Sequence, residues 1–285
     1  MKITYVNGQF VNHENAYVHV EDRGYQFSDG VYEVVFVKNN KIVDWKPHCK
    51  RLRRSLLEMR IEYNFNDDVL KNLVMELLDK NSLQDAAVYL QVSRGVAKRD
   101  HGFPKGNITP SVVMTASAPI FPSGESYNSG VSIITMPDIR WKRRDIKTVS
   151  LLPNVLAKQE AADKGATEAI FIEDDGFITE GSSTNFFIID KTGVLRTHPV
   201  NNRILSGITR EGVINIAKKS GMVVKERPFS LAELMVSKGA FITSTTKHVL
   251  PVTKVNGVEI AGGSVCSEIQ DIIKLYKKYI NEQVG

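Results

Sequence analysis

Short apolar runs separated by turn residues open the chain. Ile3 to Tyr5 and Gln9 to Val11 flank Asn7-Gly8, a pair that tolerates the positive φ a two-residue turn needs, so a β-hairpin is predicted there. Asp22 to Gly30 is rich in turn residues and predicts a loop. Val31 to Val37 and Ile42 to Trp45 predict strands, reversed by Lys38-Asn39-Asn40-Lys41. After Pro47 the period changes. Leu52, Leu56, Leu57 and Met59 recur at helical spacing, and Asp67 and Asp68 are placed to cap a second helix with an apolar stripe at Val69, Leu70, Leu73, Val74, Leu77 and Leu78. Strands are expected over 87–93 and 111–116, with the basic loop Arg94 to Pro104 after the first.

Pro119-Ile-Phe-Pro122-Ser-Gly-Glu-Ser126 carries two prolines, a glycine and two serines, which marks an interdomain linker. The expected organisation is therefore an N-terminal α/β domain over 1–118, a linker over 119–126 and a second domain over 127–285. The second half predicts a strand over 131–136, a basic loop, a helix over 154–164 stopped by Gly165, and strands over 169–173 and 184–189. Leu205-Ser-Gly-Ile-Thr209 opens a helix with an apolar face at Val213, Ile214, Ile216 and Ala217, ended by Gly221. Ser230 and Glu233 match a capping box. A strand over 240–243 ends in Ser244-Thr245-Thr246, and Ile269, Ile272, Ile273, Tyr276 and Ile280 give a closing amphipathic helix.

Composition narrows the class. In 285 residues, 42% hydrophobic and 24% charged, no apolar run approaches the ~18 residues needed to cross a bilayer. The N-terminus enters a strand pattern without the apolar core of a secretory signal, so a cytoplasmic location is expected. Cys49 and Cys266 lie far apart and suit a reducing compartment, and the six histidines form no close pair, so no metal is predicted. The net charge is +5; the basic residues are mostly dispersed among acids, with local clusters at Lys50 to Arg54 and Arg140 to Lys147. Neither cluster is interleaved with aromatics in the way that stacks nucleic-acid bases. The charge suits small anionic substrates and a phosphate group; a basic nucleic-acid-binding protein is the non-enzyme alternative.

Three features point to chemistry. Lys147 lies in the basic loop, a carboxylate follows at Glu180 in Glu-Gly-Ser-Ser-Thr-Asn185, and a glycine-led helix starts at Gly207. An amine for an aldehyde, a carboxylate for a pyridine nitrogen and a helix N-terminus for a phosphate are the parts that hold pyridoxal 5'-phosphate. Arg99 and His101, two apart in an extended loop, face one way and suit a carboxylate. Tyr32 fits a half-buried sheet aromatic as well as a functional one. By default Arg51 is a solvated helix arginine, and the Ser244 to Thr246 hydroxyls serve either as β-rich filler or as phosphate donors.

Motifs spread along the chain carry a resemblance. Asp22-Arg-Gly-Tyr-Gln-Phe27, Lys147, Leu151-Leu-Pro-Asn-Val-Leu-Ala-Lys-Gln-Glu160, Thr179-Glu-Gly-Ser-Ser-Thr-Asn185, Gly207-Ile-Thr-Arg210 and Ser244-Thr-Thr246 resemble fold-type IV pyridoxal phosphate-dependent aminotransferases. Arg99-x-His101 with Tyr32 resembles their D-amino acid branch. The resemblance implies an N-terminal α/β domain and a C-terminal β-barrel-like domain flanked by helices, with the cofactor at the domain interface. It implies that Lys147 bonds the cofactor aldehyde and shuttles the proton, that Glu180 pairs with the ring nitrogen and that Arg140 supports Glu180. Arg51, Ile208, Thr209 and Thr245 would hold the phosphate; Leu205 would pack on the ring, with Ser183 and Thr184 near it. Tyr32, Arg99 and His101 would bind the substrate carboxylate, the last two from the neighbouring subunit of a homodimer. The reaction implied moves the amino group of D-alanine and other D-amino acids to 2-oxoglutarate. A branched-chain L-amino acid aminotransferase or an aminodeoxychorismate lyase of the same fold is the alternative. One departure stands out: the family usually has glycine where this chain has Ser28.

Overall fold

The structure, a computed structural model, describes residues 2–285. It divides into two compact units. The first takes residues up to Pro119 together with Ile146–Ser150 and Gln283–Gly285; the second takes Ile120–Asp145 and Leu151–Glu282. The chain thus passes into the second unit at the start of the expected linker, and the Lys147 segment groups with the first unit instead of a continuous 127–285 block.

The first unit contains β1 (Ile3–Val6), β2 (Gln9–Asn12), α1 (Arg23–Phe27), β3 (Gly30–Lys38), β4 (Lys41–Ile42), α2 (Trp45–Glu58), α3 (Asp67–Lys80), β5 (Ala86–Ser93) and β6 (Ser111–Ser117). Its strands form one antiparallel sheet in the order β2-β1-β6-β5-β3-β4. The Asn7-Gly8 hairpin forms as expected, with positive φ at both residues. Alternation then sorts the sheet's faces: Val31, Val35 and Val37 of β3 join Val88, Leu90 and Val92 of β5 and pack on Leu52, Leu56, Leu70, Val74, Leu77 and Leu78 of the two helices.

Three local expectations change. The segment predicted as a loop between Asp22 and Gly30 contains α1, because the Asp22 carboxylate accepts from the Gly24 N–H at 2.8 Å and caps a short helix. The strand predicted over Ile42 to Trp45 stops at Ile42: Asp44 turns left-handed at φ +56° and Trp45 begins α2. Asn66, not Asp67 or Asp68, caps α3, accepting from the Asp68 and Val69 N–H groups; the two aspartates occupy the first turn, where the helix dipole favours them.

The second unit contains α4 (Gly124–Ser129), β7 (Val131–Pro137), α5 (Leu152–Asp163), β8 (Glu168–Ile172), β9 (Ile178–Gly181), β10 (Asn185–Ile189), β11 (Leu195–Thr197), α6 (Ile208–Lys219), β12 (Val224–Glu226), α7 (Leu231–Met235), β13 (Gly239–Ser244), β14 (His248–Val255), β15 (Val258–Glu259) and all but the last two residues of α8 (Ser267–Val284). α4 begins inside the stretch expected to be irregular, capped by Ser123. Strands β10, β13, β14, β7, β8 and β9 pair in succession, and β9 returns to β10, so the sheet closes into a barrel. One pair, Asn185 opposite Glu180, makes that closure. Ile133, Ile170, Phe186, Ile188, Ile242 and Leu250 fill its core. β9 and β14 were not expected. The first is short and ends in glycine, and the second contains Pro251, a residue that speaks against a strand interior but sits here near a bulge between Val252 and Lys254. The Ser230–Glu233 capping box forms in full. Among the described residues no helix is long and apolar enough to cross a membrane.

Candidate active site

Alternation along β3 places neighbours on opposite faces of the sheet. Glu33 lies on the helix-facing side with the valines, and Tyr32 on the other. A carboxylate in an apolar core must be paired, and α2 supplies the partners. Arg51 donates through Nε and NH2 to the two oxygens of Glu33 at 2.8 and 2.7 Å, and His48 Nδ1 lies 2.8 Å from Oε2. Burial pushes the Glu33 carboxyl up, but Arg51 and His48 outweigh it and hold it down at about 2. Arg51 is therefore no solvated helix arginine: it is buried and oriented.

The Ile146–Ser150 segment runs beside β3. Thr148 bridges Val31, the Tyr32 N–H donates to the Lys147 carbonyl at 3.0 Å, and the Val149 N–H donates to the Gly30 carbonyl at 3.1 Å. Ile146 is buried in the core, which anchors the segment, and the Lys147 N–H meets Ser55 Oγ at 3.4 Å. The backbone so held places the Lys147 ammonium 4.0 Å from the centre of the Tyr32 ring. Arg99 and His101 group elsewhere in this unit, on an exposed loop around Phe27.

In the second unit the centre is Glu180. Its Oε1 accepts from Arg140 NH1 at 2.7 Å; its Oε2 accepts from Asn185 Nδ2 and from the Leu205 N–H, both at 3.0 Å. Burial pushes the Glu180 carboxyl above its ordinary range against the pull of Arg140. Arg140 is gripped on its far side by Asp138, through Nε at 2.9 Å and NH2 at 2.8 Å, and Thr179 Oγ1 donates to the same aspartate. The guanidinium also lies 4.3 Å from the centre of the Phe171 ring.

Asn185 also donates to the Leu205 carbonyl at 2.9 Å, so the loop before α6 is tied to the carboxylate. Gly207 then caps α6 without a side-chain acceptor, which leaves the first-turn donors of Ile208 and Thr209 to an outside anion. A Cβ at position 207 would meet Asn185 Oδ1 at 2.0 Å, so only glycine permits this approach. Ser183 Oγ donates to buried Glu168 at 2.9 Å, whose same oxygen lies 3.4 Å from Lys247 Nζ in the turn that also holds Thr245. Thr184 Oγ1 is buried with no partner in the chain.

These features fit pyridoxal 5'-phosphate. A buried carboxyl pushed up by desolvation is steadied by a protonated ring nitrogen, and an uncapped glycine-led helix start takes a phosphate. Three residues of the arrangement carried little local signal: Asp138 and Thr179 meet each other across 41 positions, and Asn185 reaches Glu180 across 5. Only the two-residue spacing of Asp138 and Arg140 hints at the first.

Comparison with known proteins agrees with this geometry. The model of the family described as "Amino-transferase class IV" matches residues 30–255. The chain is 40% identical over 280 residues to a D-alanine aminotransferase of Staphylococcus epidermidis, covering 98% of each. It is 41% identical over 264 residues to one of Bacillus licheniformis, covering 93% of this chain and 92% of the other. The branched-chain amino acid aminotransferase of Escherichia coli shares the fold, with a TM-score of 0.88 at 23% identity over 100% of this chain and 96% of its own. From the strand that carries Tyr32 to the end of the barrel, the chain belongs to the class IV aminotransferase family.

Proposed function

We propose that this class IV aminotransferase moves the amino group of D-alanine, and of other D-amino acids, to 2-oxoglutarate, giving pyruvate and D-glutamate. The observation that carries the substrate is the extent of the likeness to D-alanine aminotransferases, which reaches both ends of the chain. Pyridoxal 5'-phosphate, when bound, supplies an aldehyde and an electron-withdrawing ring that makes the substrate Cα acidic. Lys147 Nζ would hold that aldehyde and, once the substrate amine has displaced it, would take up the proton leaving Cα. Glu180, backed by Arg140, holds the ring nitrogen protonated. Ile208 and Thr209 at the α6 N-terminus, with Arg51 and Thr245, hold the phosphate; Leu205, Ser183 and Thr184 bound the ring. Tyr32, Arg99 and His101 bind the substrate carboxylate.

The same proposal makes the protein a homodimer in which Arg99 and His101 serve the partner's site. Exposed Val20, Tyr25 and Phe103 in the first unit support it. A cytoplasmic setting fits the free thiols of Cys49 and Cys266. Glutamate formation from 2-oxoglutarate with D-alanine as donor, against L-alanine and L-leucine as donors, is the test. A preference for the D-donor is expected. Turnover of L-leucine alone turns the assignment to a branched-chain enzyme, and repeated pyruvate release from aminodeoxychorismate without an acceptor turns it to a lyase.

A further inference from the structure

Arg99 to Phe103 is exposed throughout, yet the residues beneath it form a buried ionic cluster. Arg23 is 3% exposed, and Asp29 and Arg94 are buried with it. Asp29 Oδ2 accepts from Arg23 Nε at 2.8 Å and from Arg94 Nε at 2.7 Å, and Oδ1 accepts from Arg94 NH2 at 2.9 Å. Two guanidinium groups on one carboxylate leave an excess positive charge, and burying such a set costs more than apolar side chains would. Its remaining donors go to backbone carbonyls. Arg94 reaches those of Arg60 and Met59, and Arg23 NH1 reaches that of Asp100 at 2.6 Å. Asp100 is the residue between Arg99 and His101.

Phe27 completes the arrangement. Its ring centre lies 4.7 Å from the Arg23 guanidinium and 5.1 Å from that of Arg99, and 5.5 Å from the His101 ring. The segment that carries Phe27 is itself fixed to the strand leading into the loop: the Arg23 N–H donates to the Gly95 carbonyl at 2.9 Å and the Arg94 N–H to the Asp29 carbonyl at 3.0 Å. Gly95, at φ +103°, allows this because a Cβ there would meet the Thr109 carbonyl oxygen at 2.1 Å.

We infer that Arg23 and Phe27 are positioning residues for substrate recognition: Arg23 pins the backbone between Arg99 and His101 while the Phe27 ring sets the direction of both side chains. The inference rests on the assignment of Arg99 and His101 to the substrate carboxylate. It adds that the aim of the pair is set from within its own subunit, by the Asp22 to Asp29 segment. A long arginine and an imidazole on an exposed loop otherwise sample many rotamers, and the ordering costs on the order of 1 kcal/mol per side chain at the moment of binding.

Steady-state kinetics of the holoenzyme with D-alanine test it, using Arg23→Lys, Phe27→Leu and Arg99→Ala. Lysine at 23 keeps a charge for Asp29 but lacks the second donor that reaches Asp100. For Arg23→Lys and Phe27→Leu, a rise in KM for D-alanine of roughly fivefold to tenfold is expected, from the loss of one hydrogen bond or ring contact. The kcat should stay within about twofold of wild type, and cofactor affinity, titrated by absorbance on the apoprotein, should be unchanged. Wild-type KM in both variants while Arg99→Ala raises it overturns the inference and leaves the carboxylate assignment standing. Wild-type KM in Arg99→Ala overturns both. Parallel losses of kcat and cofactor affinity mark a general structural defect and also overturn it. Should Arg23→Lys fail to fold, Phe27→Leu decides by the same criteria.

Discussion

Tyr32 and Lys147 are joined twice: the Tyr32 N–H donates to the Lys147 carbonyl at 3.0 Å, and the Lys147 ammonium lies 4.0 Å from the Tyr32 ring centre. The ring supports the amine whatever the hydroxyl does. Tyr32→Phe should therefore keep the lysine in place and, on the proposed role of Tyr32, lose only the phenol's hydrogen bond to the substrate carboxylate. A hydrogen bond to a charged group contributes about 1.5–3 kcal/mol, so KM for D-alanine should rise roughly 10- to 100-fold with cofactor binding intact. Steady-state kinetics beside a cofactor titration check this; an unchanged KM removes Tyr32 from substrate binding.

Arg140 joins two buried carboxylates, Asp138 and Glu180. Removing the cation leaves both without their main partner. Arg140→Ala should lose about 3–5 kcal/mol of stability in denaturant unfolding, the cost of breaking a buried pair from one side. A variant as stable as the parent would show that neighbouring donors carry the two carboxylates.

Gly207→Ala brings a methyl group to 2.0 Å from Asn185 Oδ1, so Asn185 or the start of α6 must move. Asn185 also ties Leu205 to Glu180. Cofactor affinity, measured by titrating the apoprotein, should fall at least about tenfold, the equivalent of 1.4 kcal/mol. Affinity equal to wild type would exclude the α6 N-terminus as the phosphate site.

Ser28, the departure from the family's glycine, ends α1 in the left-handed region at φ +55°. A left-handed non-glycine residue costs roughly 1–2 kcal/mol, offset in part because glycine loses more freedom on folding. Ser28→Gly should raise stability by up to about 1 kcal/mol, seen as a melting temperature higher by about 2–4 °C. A lower melting temperature would mean that the hydroxymethyl group makes a contact outweighing its backbone strain.

Glu33 gives a pH dependence of known sign. Against the push of burial, Arg51 and His48 hold its carboxyl down at about 2 in the fold from an ordinary 4.5, so its stabilisation is fully present above 4.5 and is lost as the pH falls from there towards 2. The difference corresponds to on the order of 3 kcal/mol. Glu33→Gln should be less stable than wild type at neutral pH, and the gap should narrow below pH 4.5 in urea unfolding at several pH values. Parallel pH profiles for the two proteins would show that Glu33 does not titrate that low.

Features governed by neighbours in sequence were legible in the chain itself. Asn7-Gly8 needs only its own φ angles, Ser230 and Glu233 need only each other, and Gly207 suits a helix start because glycine is tolerated at an N-cap. Features settled by distant partners were not. Glu33 stands in a run of valines and looks out of place until Arg51, 18 residues on, is seen beside it. β14 is a barrel strand because β13 and β7 flank it, which overrides the local signal of Pro251. Phe27 reads as one more apolar residue in a turn. Its meaning comes from a loop more than 70 residues later.

The division of the chain has a consequence for synthesis. A nascent polypeptide that has reached Pro119 holds all six strands of the first sheet but lacks Ile146–Ser150, the segment that receives the Tyr32 N–H, and lacks Gln283, whose side chain accepts from the Asp44 N–H. Vectorial folding from the ribosome therefore cannot finish the first unit before the second has been translated. The lysine loop can reach the first sheet only after all six of that sheet's strands have been synthesised.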